Sequence, residues 1–233
     1  LKNLFGLALR QATGLVESVL HLSGLTWPTP DFSTLSRRQQ TLNVQIPYTR
    51  SQAGLHLLVD STGIKFLGEG EWKCKKHGSE YRRQWRKLLI GIDAQTMQIR
   101  AICVTSNNVS DAAVIPDLLD QLPQDEKFES LTGDGAYDTK QVYEAVIEHG
   151  ATAIIPPRRN ARIRKGKAFA HRNAAIAACK RLGRGIWKAW SGYHRRSLVE
   201  TKMNCIKRLG ERVMARSFES QVNELHIRAA ILN

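Results

Sequence analysis

The fold is decided by the stretch Leu55-His56-Leu57-Leu58-Val59-Asp60-Ser61-Thr62-Gly63. Its apolar run predicts a short buried strand, and the glycine and hydroxyl residues after Asp60 predict a turn. A carboxylate delivered by the end of a buried strand is a candidate site residue. An aspartate before Ser-Thr-Gly is equally suited to capping the turn with its own side chain, so Asp60 alone leaves both interpretations open.

The segments that follow predict a mixed α/β layout. After a further strand that could occupy residues 64–71, a hairpin is expected next to the first strand, and then helices and strands alternate. The predicted ranges are strands at 88–92 and 99–104, a helix at 110–122, a strand at 128–132, a helix at 138–148 and a strand at 151–155. The later strands should run parallel to the first, because helices cross between them.

The strand at 128–132 ends in Gly133-Asp134-Gly135. We expect this strand to lie beside the first one, so that Asp60 and Asp134 leave the sheet at the same edge. Ligands of open α/β sheets bind beyond the carboxyl ends of such strands. Taken alone, an aspartate between two glycines is more simply a turn residue.

Composition points away from a membrane protein. The 233 residues are 42% hydrophobic, and no uncharged run reaches the roughly 18 apolar residues of a spanning helix. The N-terminal stretch lacks the layout of a signal peptide, so we expect an intracellular, cytoplasmic protein. The four cysteines form no Cys-x-x-Cys pair, and Cys74 with His77 has the only metal-like spacing, which we expect not to hold zinc.

Charge favours a polyanionic partner. The net charge is +14, and residues 158–216 contain 18 lysines and arginines against two acids. The same segment carries Trp187, Trp190 and Tyr193, which favours a nucleic-acid surface over a solvated face. Residues 158–190 are predicted to be a basic insertion of loops and a short Ala-rich helix, with Arg158 and Arg159 as DNA-binding residues.

An N-terminal helical segment is predicted over residues 1–50, and a second domain over residues 51–233. Apolar spacing at 4–22 indicates one helix, a proline-rich break covers 27–30, and a second short helix carries Arg37 and Arg38. This layout is compatible with a helix-turn-helix in which both arginines contact DNA, and equally with an ordinary helical pair. Because the chain begins with leucine, we expect this segment to be incomplete.

The decisive helix is predicted over residues 193–207. At about 100° per residue, one stripe carries four functional side chains and a neighbouring arc is apolar. The stripe consists of Tyr193, Arg196, Glu200 and Lys207, and the arc contains Leu198, Val199, Met203, Ile206 and Leu209. An ordinary surface ion pair would account for Arg196 and Glu200, but it leaves Tyr193 and Lys207 unexplained.

These four residues resemble a known signature. Bacterial insertion-sequence transposases of the DDE type carry the same pattern: Tyr, two residues, Arg, three residues, Glu, six residues and Lys. Among them, the chain most resembles the insertion-sequence-five family. The sequences around Asp60 and Asp134 resemble the motifs of that family's first two aspartates. The resemblance extends from about residue 30 onward.

The resemblance implies a ribonuclease-H-like fold and a metal-dependent DNA transposase. Asp60, Asp134 and Glu200 would be catalytic and would hold two Mg²⁺ ions, with Mn²⁺ as a substitute; hard divalent cations prefer such oxygen ligands. The enzyme would cut element ends and transfer a 3′ hydroxyl to target DNA. Tyr193, Arg196 and Lys207 would hold backbone phosphates, since phosphate contacts position DNA without reading its bases.

The implied partner is double-stranded DNA, bound by a homodimer associated with the bacterial nucleoid. Two alternatives stay open at this point. One is a ribonuclease-H-like nuclease without strand transfer. The other is a truncated or domesticated relic that only binds DNA.

Overall fold

The computed structural model describes residues 1–66 and 85–233, which form two compact units. One unit contains residues 48–63 and 86–204, and the other contains residues 1–47, the described part of 64–85, and 205–233. The described strands are β1 Leu55–Phe66, β2 Arg86–Asp93, β3 Ile99–Ser106, β4 Phe128–Thr132, β5 Thr152–Ile154 and β6 Arg212–Val213. The described α-helices are α1 Lys2–Phe5, α2 Leu9–Leu22, α3 Phe32–Thr41, α4 Ile115–Leu119, α5 Lys140–Glu148, α6 Ala170–Leu182, α7 Arg184–Trp190, α8 Ser197–Arg208 and α9 Phe218–Leu232.

Strand β1 lies in the middle of a sheet with the order β3-β2-β1-β4-β5. β2 and β3 form an antiparallel hairpin, whereas β4 is parallel to both β1 and β5. The parallel pairing follows from the helices that connect these strands. The predicted fold class, a ribonuclease-H-like mixed sheet flanked by helices, is therefore confirmed.

The core explains why β1 is so apolar. Its alternate residues Leu55, Leu57 and Val59 belong to one buried cluster with the helices after β3 and β4. Ile115 of α4 and Val142 of α5 are fully buried in that cluster. Because successive strand residues face opposite sides, Leu58 is buried on the other face of the sheet.

The predicted turn after Asp60 is wrong, because β1 continues through Ser61, Thr62 and Gly63 to Phe66. Ile64 is 1% exposed, so the continued strand buries another apolar side chain. Lys65 and Phe66 then pair with β6. The separate strand expected at 64–71 is thus the end of β1, and its part beyond Phe66 lies outside the described residues, as do Cys74 and His77.

The helix expected at 138–148 begins later than predicted. Thr139, not Asp138, is its N-cap, and helix α5 starts at Lys140. Asp138 instead binds Arg172, whose Nε lies 2.6 Å from its Oδ1. The basic insertion is also more helical than predicted, since α6 and α7 fill most of residues 170–190. Its Phe169 lies in the buried cluster, which anchors the insertion to the core.

The other unit contains the N-terminal and C-terminal segments. The helix expected at 4–22 is divided at Gly6, which adopts a left-handed conformation with φ 63° and ends α1. The Asn223 side chain on α9 donates to the Gln39 carbonyl on α3 at 2.8 Å. Arg228 of α9 is 2% exposed and donates to the carbonyls of Gly210 and Arg212 at 2.5 and 2.6 Å, which ties the β6 segment to α9.

None of the helices in the described ranges is long and apolar enough to cross a membrane.

Candidate active site

Asp60 and Asp134 occupy equivalent positions on neighbouring parallel strands. The last paired residues of β1 and β4 are Leu58 and Thr132, and each aspartate follows two positions later. The Asp60 side chain is 14% exposed, and its Oδ1 accepts the Ser61 amide at 2.8 Å. The two carboxylates thus follow the point at which the pairing of β1 and β4 ends, as the strand order predicted, although β1 itself continues beyond Asp60.

Asp134 also has the local role expected of a turn residue. Its Oδ1 accepts the Ala136 amide at 2.8 Å and caps a 3-10 turn over Gly135–Tyr137. Gly133 before it is required by packing, because a Cβ there would lie 2.8 Å from the Tyr137 ring. This close approach accounts for the first glycine of the Gly-Asp-Gly motif.

Arg196 joins two of the candidate acids. Its Nη2 lies 2.5 Å from Asp60 Oδ2, and its Nη1 lies 2.7 Å from Glu200 Oε1. The Arg196 side chain is 21% exposed and that of Glu200 53%. Arg196 Nε is buried and has no hydrogen-bond partner within residues 1–66 and 85–233. The guanidinium therefore bridges Asp60 and Glu200 and offsets one of their two negative charges, while one of its own donors stays unsatisfied.

The predicted start of the decisive helix is wrong. Residues Tyr193–Arg196 form a 3-10 turn, which follows Gly192 with φ 70°, and the α-helix α8 begins only at Ser197. Gly192, in its left-handed conformation, directs the chain into this 3-10 turn. A 3-10 turn has about three residues per turn, so the angular positions calculated at about 100° per residue do not apply to Tyr193. The apolar arc is confirmed for Val199, Met203 and Ile206, which are buried.

Electrostatics place Tyr193 among the same groups. Burial raises the pKa of the Tyr193 phenol, Arg196 opposes that rise, and Asp134, Asp60 and Glu200 add to it. The Tyr193 ring packs 6.0 Å from the Trp187 ring, which fixes it against α7.

The pKa of Asp60 is also raised. Burial is the main cause, opposed by the Ser61 amide and Arg196, and the negative charge of Asp134 adds to it. The charged form of Asp60 is therefore costly despite its guanidinium partner. All three acids raise the pKa of Tyr193, so its phenol is electrostatically coupled to each of the sequence-predicted carboxylates.

Comparison with family models decides what kind of protein this is. Two models, both described as a transposase DDE domain, match the chain over residues 51–233 and over residues 1–69. The first match alone covers far more than half of the chain. The chain belongs to the DDE transposase family. The insertion-sequence-five branch fits these matches and stays a prediction.

The donor set of this transposase suits the divalent metals that its family generally uses. Asp60, Asp134 and Glu200 offer only oxygen ligands, which Mg²⁺ prefers. Among the described residues, however, no three acidic, histidine or cysteine side chains are arranged to hold an ion. Arg196 instead supplies the positive charge to Asp60 and Glu200, so a bound cation would have to take its place.

The remaining predicted DNA-binding residues of the transposase lie on other elements or farther along α8. Lys207 is near the end of α8, seven positions after Glu200. Arg37 and Arg38 are exposed on α3, and Arg158 and Arg159 are exposed in the loop after β5. Exposure is compatible with DNA contacts, and these roles stay predictions, as do the domain boundary at 50/51 and the helix-turn-helix.

A polar network beside Asp60 is not predicted by the sequence pattern. Ser61 Oγ donates to Asp111 Oδ2 at 2.6 Å, and Lys87 Nζ lies 3.0 Å from Asp111 Oδ1. The sequence predicts only that Asp111 lies at the start of the helix expected at 110–122. The available signal was the hydroxyl next to Asp60, because a serine inside a buried strand needs a hydrogen-bond partner.

Proposed function

We propose that this transposase cuts phosphodiester bonds at the ends of its element and transfers the freed 3′ hydroxyl to target DNA. Asp60, Asp134 and Glu200 are the metal-binding catalytic residues, for two Mg²⁺ ions or Mn²⁺ as a substitute. One observation carries the proposal: Arg196 bonds Asp60 and Glu200 at 2.5 and 2.7 Å, on the sheet edge from which Asp134 also emerges. This arrangement supports the proposal, because residues far apart in the sequence supply Asp60 and Glu200 to one guanidinium and Asp134 to the neighbouring strand.

The reaction has two steps at phosphorus. Water attacks the phosphate at the element end, the 3′ oxygen leaves as a hydroxyl, and the flanking strand keeps the phosphate. That hydroxyl then attacks a target phosphate and displaces the target's 3′ oxygen. Bound divalent ions supply activation of the attacking oxygen and stabilisation of the leaving oxygen.

The protein's own residues hold and orient the DNA. When Asp60 and Glu200 accept cations, the Arg196 guanidinium becomes available for a phosphate, which it can bind through two oxygens at once. Tyr193 is fixed by Trp187 beside the acids and can donate its hydroxyl to a backbone phosphate. Lys207 contributes a point charge from the end of α8.

The partner is double-stranded DNA at element ends and at the target. The 18 basic residues against two acids in residues 158–216 support this assignment, because phosphate neutralisation dominates DNA affinity. The proposal also includes that the protein binds DNA as a homodimer. It would do so in the bacterial cytoplasm, at the nucleoid. An element has two ends to be processed, and each chain offers one set of acids.

The test is an assay on a labelled element-end duplex with a target plasmid. The parent chain should bind in Ca²⁺, nick in Mg²⁺ and produce joined product, and Asp134→Asn should bind without nicking. Nicks without joined product would indicate a nuclease instead. Binding without nicks in Mg²⁺ or Mn²⁺ would indicate a DNA-binding relic.

A further inference from the structure

A second polar site lies at the start of the basic insertion, in residues that the carboxylate site does not use. A cavity of about 350 Å³ is lined by four arginines, Arg158, Arg162, Arg164 and Arg172, together with Asp138 and Asn160. All of these residues belong to the unit that contains the sheet. Four guanidinium groups around one cavity are a strong concentration of positive charge.

The loop that carries these arginines is held in place from two sides. Arg172 Nη1 donates to the Arg162 carbonyl at 2.7 Å. The Asn173 side chain binds both backbone groups of Arg164, accepting from its amide at 3.1 Å and donating to its carbonyl at 2.7 Å. The Arg158 amide donates to Asp138 Oδ2 at 3.3 Å. A loop fixed in this way loses little conformational freedom when a ligand binds.

The charges inside the cavity do not cancel. Asp138 is matched by Arg172, at 2.6 Å, and this pair is buried, with side chains 1% and 5% exposed. Arg158, Arg162 and Arg164 have no carboxylate partner among the described residues, although Arg164 stacks 5.4 Å from the Phe169 ring. Three cations without a carboxylate partner, next to a buried neutral ion pair, make this cavity attractive to an anionic ligand.

The chemistry of the cavity selects a phosphate ester. Guanidinium groups bind phosphate oxygens through paired hydrogen bonds, and several arginines can converge on one tetrahedral anion. The volume exceeds that of an isolated ion and lies at the lower end of the range for small-ligand pockets, roughly 300–1,000 Å³. There is room for a phosphate together with the sugar that carries it.

We propose that this arginine pocket, formed by Arg158, Arg162, Arg164 and Arg172, seats one backbone phosphate of bound DNA. It would fix the register of the duplex on the insertion, away from the reacting bond. This proposal rests on the DNA binding that is part of the proposed function. It does not depend on DNA cleavage or strand transfer. It also separates two adjacent arginines: Arg158 lines the pocket, whereas Arg159 does not.

The test compares two double variants with the same loss of charge. Arg158→Gln with Arg162→Gln removes two pocket cations, and Lys165→Gln with Lys167→Gln removes two exposed cations of the same segment that do not line the pocket. Binding to a labelled duplex is measured by fluorescence anisotropy in EDTA over a range of salt concentrations. Circular dichroism melting of each variant verifies that the fold is kept, and the single variants serve in place of any double variant that fails to fold.

For the pocket variant, we expect affinity to fall roughly tenfold, the effect of losing one charge-assisted phosphate contact. Its salt dependence should flatten by about 0.9 in the log–log slope, the value for one phosphate. The control variant should keep the parental slope. Equal losses in both variants would overturn the pocket and indicate a diffuse basic surface.

A calorimetric titration with inorganic phosphate distinguishes the source of the ligand. One result would overturn the assignment to DNA. The parent protein would bind free phosphate tightly and the variant Arg158→Gln with Arg162→Gln would not, while the DNA affinity of that variant equalled the parental value. Failure of the proposed catalysis looks different, because the parent would then not nick DNA in Mg²⁺ even though the two double variants still differed in binding.

Discussion

The guanidinium of Arg196 lies 2.5 Å from the carboxylate of Asp60, although 136 positions separate the two residues in the sequence. The same guanidinium also bonds Glu200. Arg196, which we propose to contact DNA, therefore offsets part of the negative charge of these two carboxylates. We expect cation binding at these carboxylates to be coupled to the release of Arg196.

Removing Arg196 should strengthen divalent cation binding while it weakens DNA processing. In Arg196→Gln, a cation no longer competes with the guanidinium for Asp60 and Glu200, so we expect Ca²⁺ affinity to rise several-fold, about 1 kcal/mol. Nicking of an end duplex in Mg²⁺ should fall, because a phosphate contact is lost. Isothermal titration with Ca²⁺ in the absence of DNA measures the first effect.

The matched control is Arg195→Gln. Arg195 is the adjacent residue, it is exposed, and its Nη2 donates to the Ala94 carbonyl at 3.4 Å. This variant should leave Ca²⁺ affinity at the parental value. Weaker Ca²⁺ binding by Arg196→Gln than by the parent would mean that the arginine supports the cation site, contrary to the exchange described above.

Asp60→Asn should melt at a higher temperature than the parent at pH 7 in EDTA. Burial raises the pKa of Asp60, so the folded protein holds this proton more tightly than the unfolded chain. The corresponding stability is present below the unfolded pKa of about 3.9 and is lost as pH rises through the folded pKa. The gain from Asp60→Asn should thus disappear at acidic pH, and nicking should be abolished.

Asp125→Asn is the contrasting control for that experiment. A hydrogen bond from Arg50 lowers the pKa of the exposed Asp125, so its neutralisation should not raise the melting temperature. A marked fall in the melting temperature of Asp60→Asn at pH 7 would show that Asp60 is a structural cap, the alternative that its sequence context left open.

The sequence predicted the parts of the site that depend on strand order. Asp60 and Asp134 follow apolar runs, and parallel pairing then sets them side by side. The sequence-based prediction was wrong where a side chain far away in the sequence determines the local structure. The helix predicted at 138–148 would begin at Asp138, but Arg172, 34 positions later, binds the Asp138 carboxylate and the helix begins after it. The entry to α8 was missed because spacing alone does not reveal that Gly192 adopts a left-handed conformation.

The buried pair between Asp138 and Arg172 should stabilise the basic insertion. Arg172→Met leaves the Asp138 carboxylate buried without its counter-ion, which costs roughly 3–5 kcal/mol. The melting temperature should fall by about 10 °C for a chain of this size. As a control, Lys140→Met breaks the exposed pair with Glu144 at 3.2 Å and should cost less than about 1 kcal/mol. Equal losses in the two variants would show that the buried pair adds nothing.

The roles of Glu200 and Lys207 on α8 can be separated by measuring binding and chemistry independently. Glu200→Gln keeps the shape of the side chain and removes a metal ligand, so binding to an end duplex in Ca²⁺ should stay within about threefold of the parent. Nicking in Mg²⁺ should fall at least about a hundredfold, the scale of one lost transition-state contact.

Lys207→Ala should show the opposite pattern, with weaker binding and a flatter salt dependence, because one phosphate contact is removed. Arg208→Ala, an exposed cation at the adjacent position of the same helix, is the control and should match the parent in both assays. If Glu200→Gln loses binding as severely as Lys207→Ala, or if Lys207→Ala binds and nicks like the parent, then α8 does not divide ligand and positioning roles between these two residues.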